Sequence, residues 1–361
     1  MVVNRTADLW WEARNSHKPN GVAQSAKSVI QSLPGRPTQT AFRTPALLGR
    51  NDPGLVVDLN KYRPGRDLKA YQDAGVDFFI LRIGGPSKWV EGDYKYQEDV
   101  TYKPYLEQLD KLGLLGQSIG YIVHNPFEPL TVNSTTGKSI HTQLIDEWTS
   151  GGYMPQAFVY DHEVAECWRG NTKITCTAPN LVNSLAFNTD NTWKIYRRVV
   201  GIYTARWFIN QYGLTNHVAY LDNVNKSEAS GGPGTQRPMW YAWYSQTWSK
   251  QYTDLDASLD ELVEPTTTQT NNLLQCGSYS LYDLWQYTYT LKLAGDAIGV
   301  DASVTRGSKA DFIAMFGLKP TGTTPPPPVE PPVEPPATGD FQAQLDALKL
   351  AFANHTHGKP V

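Results

Sequence analysis

From residue 55 onward the chain alternates short apolar runs, rich in β-branched and aromatic residues, with amphipathic segments. The runs cover residues 55–59, 78–83, 118–123, 157–161, 200–204, 217–221, 239–244 and 281–287, which predicts eight strands. Between them, residues 99–113 set Tyr102, Leu106, Leu109 and Leu112 at helical spacing, with Gly113 where a helix would stop. Residues 66–75, 140–151, 193–199, 205–213 and 254–263 read as further helices. Strands that alternate with helices and are apolar on both faces indicate a parallel sheet, and eight of them predict a closed, TIM-like β/α barrel of the α/β class. The segment before residue 239 holds Gly231, Gly232, Pro233 and Gly234 with little helical pattern, so one unit departs from the repeat.

The same patterning sets the domain organisation. Residues 1–50 are polar, carry a Trp10–Trp11 pair and read as an N-terminal extension without an assignable role, and residues 51–318 hold the barrel. Residues 319–340 are dense in proline, which fixes φ and removes donors, so they predict an extended spacer of about 3.1 Å per residue. In residues 341–361, Phe341, Leu345, Leu348, Phe352 and His355 recur in steps of four and three. That is a short helical tail, expected to self-associate or to dock onto another protein. His355 and His357 near its end would ligate a metal only if several chains brought their copies together; a solvated polar terminus is the weightier reading.

Composition narrows the partners. With 32 Lys plus Arg against 35 Asp plus Glu, the formal net charge is -3, which offers no general attraction for nucleic acid or an anionic membrane. No run reaches the apolar length of a membrane span, and the N-terminal stretch lacks the apolar core of a signal peptide. No pattern calls for a cofactor. The 11 Trp and 20 Tyr suit sugar rings, whose apolar C–H faces are rimmed by hydroxyls. Of the three cysteines, Cys167 and Cys176 are placed to close a short loop, leaving Cys276 over.

The chemistry centres on residues 157–163, an apolar strand that ends in Asp161, His162 and Glu163. Residues two apart in a strand share a face, so the two acids form a pair about 7 Å apart along the chain. Same-face acids are expected to titrate apart, one ionised and the other kept as a proton donor, the division of labour that glycosidic bond cleavage needs. In a barrel the C-terminal strand ends face the active site. Asp58, Tyr121, Asp161, Glu163, Tyr203, Asp222, Trp243 and residues 285–287 fall at or near such ends and should form one acidic, aromatic mouth.

These residues carry a resemblance. Residues 57–62 (VDLNKY) with 74–85, the acidic strand at Tyr160–Val164, residues 201–204 (GIYT), the tryptophan strand at 239–244, and residues 284–287 (LWQY) with 299–303 are similar, in order, to glycoside hydrolase family 25, the muramidases also called Chalaropsis-type lysozymes. The resemblance covers about residues 54–317. It implies a modified β/α barrel that cuts the β-1,4 bond between N-acetylmuramic acid and N-acetylglucosamine in bacterial peptidoglycan. It further implies Glu163 as proton donor, Asp161 as the acid that orients the substrate's 2-acetamido group or stabilises its charge, and Asp58 as the first-strand acid that holds substrate or tunes the pair. Asp301, Trp285 and Tyr287 would help to shape the cleft, with Tyr121, Tyr203 and Trp243 beside them. The close acid spacing fits attack by the acetamido oxygen better than attack by a protein nucleophile.

Two departures stand beside the presumed cleft: Tyr121-Ile122-Val123-His124 where the family usually shows Tyr-His-Phe, and an insertion-like segment at 167–179. Family 25 domains frequently belong to phage endolysins. The resemblance therefore implies a phage-encoded lysin at the bacterial cell wall, acting after release or as part of a virion. The alternative is a non-catalytic glycan-binding or structural component of a phage tail or injection particle.

Overall fold

The computed structural model describes residues 52–214, 237–242, 244, 283–296 and 298–320. The chain divides into two compact units, Met1–Thr323 and Thr324–Val361, and all described residues belong to the first. Its strands are β1 (Pro53–Leu59), β2 (Phe78–Lys88), β3 (Lys95–Glu98), β4 (Ile119–Val123), β5 (Ala157–Asp161), β6 (Glu166–Arg169), β7 (Thr172–Thr175), β8 (Val200–Ala205), β9 (Met239–Ala242), β10 (Leu284–Leu291) and β11 (Val300–Ser308). The helices are α1 (Leu68–Asp73), α2 (Tyr102–Lys111), α3 (Ile140–Trp148), α4 (Ala178–Tyr196), α5 (Arg206–Gln211) and α6 (Lys309–Phe316).

The strands close into a ring in the order β1-β11-β10-β9-β8-β5-β4-β2, with β2 returning to β1 and β3 extending the far end of β2. Seven of the eight run parallel; β11 runs antiparallel to both of its neighbours. The ring is the α/β barrel expected, with one correction. Its eighth strand is β11, for which no run was predicted; the run at 217–221 and the helix expected at 254–263 lie outside the described residues. Helices α1 and α3 start on side-chain caps: Asp67 accepts from the backbone N–H groups of Lys69 and Ala70, and Ser139 accepts from that of Thr142.

Strand parity divides the core into two layers. Val57, Leu59, Phe79, Leu81, Ile122, Phe158, Tyr160 and Ile202 face outward and pack beneath the helices. Val56, Phe78, Ile80, Ile119, Val159, Tyr203 and Trp240 face inward. The interior layer also takes in Phe312 and Phe316 of α6, and the rings of Phe78 and Phe312 lie 4.6 Å apart. This plug sits where the parallel strands begin. A Cβ at Gly54 would stand 2.8 Å from the Phe78 ring, and glycine there lets the plug seat. The barrel is thus filled with apolar side chains at one end, and its polar residues gather at the other.

Helix α4 is longer than expected, running back from the predicted 193–199 to Ala178. Ser184, Asn188, Thr189 and Thr192 are among its buried residues, so apolar periodicity could not reveal it. The insertion-like segment ahead of it is the β6–β7 hairpin, tied to the β2–β3 connection by the parallel bridge between Val90 and Trp168. Cys167 and Cys176 are both buried and both free thiols, so the short loop is not closed by a disulfide.

Candidate active site

Interior side chains at the C-terminal ends of the parallel strands build a polar layer opposite the apolar plug. Asp58 comes from β1, with Asn60 just past its end, Arg82 from β2, Tyr121 from β4 and Asp161 from β5. Tyr203 comes from β8, Trp240 from β9 and Gln286 from β10. Because β11 is antiparallel, its first residues reach the same end, and Asp301 stands opposite Asp58 in the ladder.

A hydrogen-bonded chain links these strands. The Gln286 amide nitrogen donates to Asp58 Oδ2 at 3.2 Å, and its carbonyl oxygen accepts from the Tyr203 hydroxyl at 2.7 Å and the Tyr244 hydroxyl at 3.0 Å. Asn60 donates to the Tyr121 hydroxyl at 3.3 Å. The Trp240 ring lies 4.5 Å from that of Tyr203 and 6.4 Å from that of Tyr121, and its indole N–H donates to Ser303 Oγ at 3.0 Å. Burial first, and then the Asp58 charge, push the Tyr121 phenol well above its ordinary range; Asp161 adds to the rise and Arg82 opposes it.

The backbone that carries the acid pair is held past the end of β5. The His124 N–H donates to the Asp161 carbonyl at 2.9 Å, the His162 N–H to the Tyr203 carbonyl at 2.8 Å, and Thr204 Oγ1 to the His162 carbonyl at 3.1 Å. The chain thus stays paired through residue 162. Parity puts Asp161 and Glu163 on the interior face and His162 on the outer face. Asp161 is buried and Glu163 is half-buried, as expected of an acid at an open mouth.

Asp58, Tyr121, Asp161, Tyr203 and Asp301 lie at or near the C-terminal end of the parallel strands, with Glu163 two residues past the end of β5. Trp285 and Tyr287 do not face the interior. Both belong to the outer layer beneath the helices, and the residue between them, Gln286, is the one that faces inward. Trp243, Asp222, His355 and His357 lie outside the described residues. Sequence reasoning missed Arg82, Asn60 and Trp240, and took in Gln286 only as the middle of residues 285–287. For Arg82 a signal existed, since a lone cation in step with Phe78 and Ile80 must share their interior face. Its Nε stands 4.0 Å from Asp99 Oδ2.

A second concavity, a groove of ≈ 370 Å³, opens beside the polar end between the β4–α3 connection and the hairpin; Phe127, Glu128, Leu130, Ile174 and Asn180 are among its walls. None of the carboxylates just described lines it. Among the described residues no group of His, Cys, Asp and Glu side chains is arranged to hold a metal ion, and no helix is long and apolar enough to cross a membrane.

No family model matches the chain, and no curated protein matches it. Solved structures do. A spore cortex lytic enzyme of Clostridium perfringens is similar at 18% identity over 72% of this chain and 69% of its own, with a TM-score of 0.49. A bacterial lysozyme of Streptomyces coelicolor is similar at 15% identity over 73% of this chain and 96% of its own, with a TM-score of 0.44. The catalytic domain of an endolysin from bacteriophage P40 of Listeria monocytogenes is similar at 17% identity, over 73% and 98%, with a TM-score of 0.43.

Proposed function

We propose that the protein is a peptidoglycan muramidase that hydrolyses the β-1,4 bond between N-acetylmuramic acid and N-acetylglucosamine. The observation that carries this reading is the position of Asp58 and Asp161, both buried at the C-terminal ends of parallel strands of one ring, with Asp58 held by Gln286 and Glu163 two residues beyond Asp161. That arrangement supplies a proton donor at an open mouth and fixed negative charge beside it. Glu163 protonates the glycosidic oxygen as the C–O bond breaks. The acetamido oxygen of the sugar that keeps the anomeric carbon attacks that carbon, and Asp161 orients the amide and stabilises its positive charge. Water then opens the cyclic intermediate and returns a proton to Glu163. Asp58, held by Gln286, tunes the pair, and Tyr121, Tyr203, Trp240 and Asp301 form the surrounding wall.

The test is the release of reducing ends from purified bacterial walls by the wild type and by Glu163→Gln. Loss of release by the variant with folding intact supports the reading. Equal release by both proteins, or wall binding with no release by either, rejects it, the second in favour of a glycan-binding particle component. We further propose that the enzyme is a phage lysin, freed at lysis or carried on a virion, whose residues 341–361 supply an oligomerisation or docking segment. A molecular mass in solution and a set of captured phage proteins both unchanged on deletion of residues 320–361 would reject that role for the tail.

A further inference from the structure

The face of β5 opposite the acids carries an unusual group. His124 and His162 are fully buried, one residue past the ends of the adjacent parallel strands β4 and β5, and their Nδ1 atoms lie 2.8 Å apart. A contact that short between two ring nitrogens is a hydrogen bond only if one Nδ1 carries a proton and the other does not. The Asn188 amide nitrogen donates to the Ser184 carbonyl at 3.1 Å and stands 3.4 Å from His124 Nε2, and the Ser184 hydroxyl lies 3.0 Å from the same Nε2. The hydroxyl either donates to Nε2 or accepts from it, so the tautomer of His124 sets which Nδ1 donates, and in both tautomers one Nδ1 donates to the other.

The groups packed around the pair hold it neutral. They are His141 of α3, with its ring 5.6 Å from that of His124, Tyr160 of β5 at 5.9 Å, Ser184 and Asn188 of α4, and Phe208 of α5 at 5.1 Å from His162. None of them is a carboxylate.

We infer that the His124–His162 hydrogen bond is a positioning device for the acid pair, an inference that rests on the function proposed above. His162 is the residue between Asp161 and Glu163, so its ring, tied to His124 and through it to α4, sets the twist of the segment from which both carboxylates project. The backbone bonds fix where the segment lies, and the ring fixes its rotation. A misplacement of about 1 Å in a reacting group costs on the order of 100-fold in rate.

Two substitutions separate this from plain packing. In His162→Asn the side-chain amide takes the place of Nδ1 and presents either its oxygen or its N–H to His124; in His162→Phe the ring volume stays and the hydrogen-bonding atom goes. The experiment reads kcat and KM on soluble peptidoglycan fragments and the carbon-13 titration of the Glu163 carboxyl in wild type and both variants. The expected result is a kcat for His162→Asn within about threefold of wild type and an unmoved Glu163 titration. For His162→Phe it is a loss of about 10- to 100-fold in kcat at a KM within about twofold, with the titration shifted. Variants that match each other in both readouts overturn the inference while leaving the muramidase reading intact. A wild type without activity sinks that reading instead, and the Glu163 titration still decides the positioning claim. Should His162→Phe not fold, nitrogen-15 spectra of the wild type decide: a proton on one of the two Nδ1 atoms supports the bond, and protons on Nε2 of both rings abolish it.

Discussion

The two faces of one strand end differ in every property except their backbone. Inward from β5, Asp161 and Glu163 look into a polar mouth with Asp58, Arg82 and Gln286 nearby. Outward, Tyr160 and His162 are buried against α4 and α5 together with His124 and His141. The interior face keeps charge near an opening, where charge does chemistry. The outer face keeps titratable rings uncharged, where they serve as shaped hydrogen-bonding groups. A β-strand allows this because neighbouring residues point apart, so a carboxylate and a desolvated imidazole sit one residue apart without sharing an environment.

The comparison predicts that changes on the two faces fail differently. Glu163→Gln should lower kcat on purified walls by about 1,000-fold or more while leaving the urea midpoint within error, since a half-buried acid at a mouth contributes a proton and little packing. An equal loss of stability would show that the interior face is structural after all.

The outer face should fail through pH. Burial pushes His141 and His162 down to about 3 and lowers His124 well below its ordinary range, with His162 and His141 adding to the last shift. Between pH 6.5 and about 3 the unfolded chain binds protons on these rings and the folded chain does not, so stability falls as pH falls through that window and is complete above it. Each histidine contributes at most about 1.4 kcal/mol per pH unit. Going from pH 6.5 to 5.5 should therefore cost about 2–3 kcal/mol for the coupled group, read as a drop in the urea midpoint. Replacing His141 by Phe should flatten that slope by about a third. A slope unchanged by the replacement would place the acid sensitivity elsewhere.

Much of this arrangement was legible in the chain. The barrel and its acidic end followed from β-branched runs that finish in Asp58 and in Asp161 with Glu163, because period-two burial and terminal acids leave a direct trace. β11 escaped as a strand since only Val300, Ala302 and Val304 of its nine residues carry the outer apolar face, while Ser303 and Thr305 supply a polar interior. The length of α4 escaped for a related reason: its buried stripe is polar where it meets His124. Position at a strand end and the family resemblance point to Trp285 and Tyr287 as cleft residues, but strand parity turns both outward and Gln286 inward. Polar cores defeat hydrophobic patterning, and here the polar core is the histidine layer.

The smallest expected effect tests whether Asp58 is tuned through Gln286. This buried amide gives its N–H to Asp58 and takes the hydroxyl protons of Tyr203 and Tyr244, so it joins the first strand to the wall of the mouth with each end committed. Gln286→Leu removes the donor to Asp58 and leaves three polar groups to rearrange, whereas Gln286→Glu keeps an acceptor for both tyrosines and sets a carboxylate against Asp58. If Asp58 acts by its charge, the Glu variant should favour one shared proton between the two acids. Its activity should fall by about tenfold near neutral pH, and the acidic limb of the pH–rate profile should move upward. The Leu variant should lose a similar amount without moving that limb. Identical profiles for the two would mean that Gln286 holds the tyrosines alone, and that the pairing of Asp58 with the interior acids is one of place and not of charge.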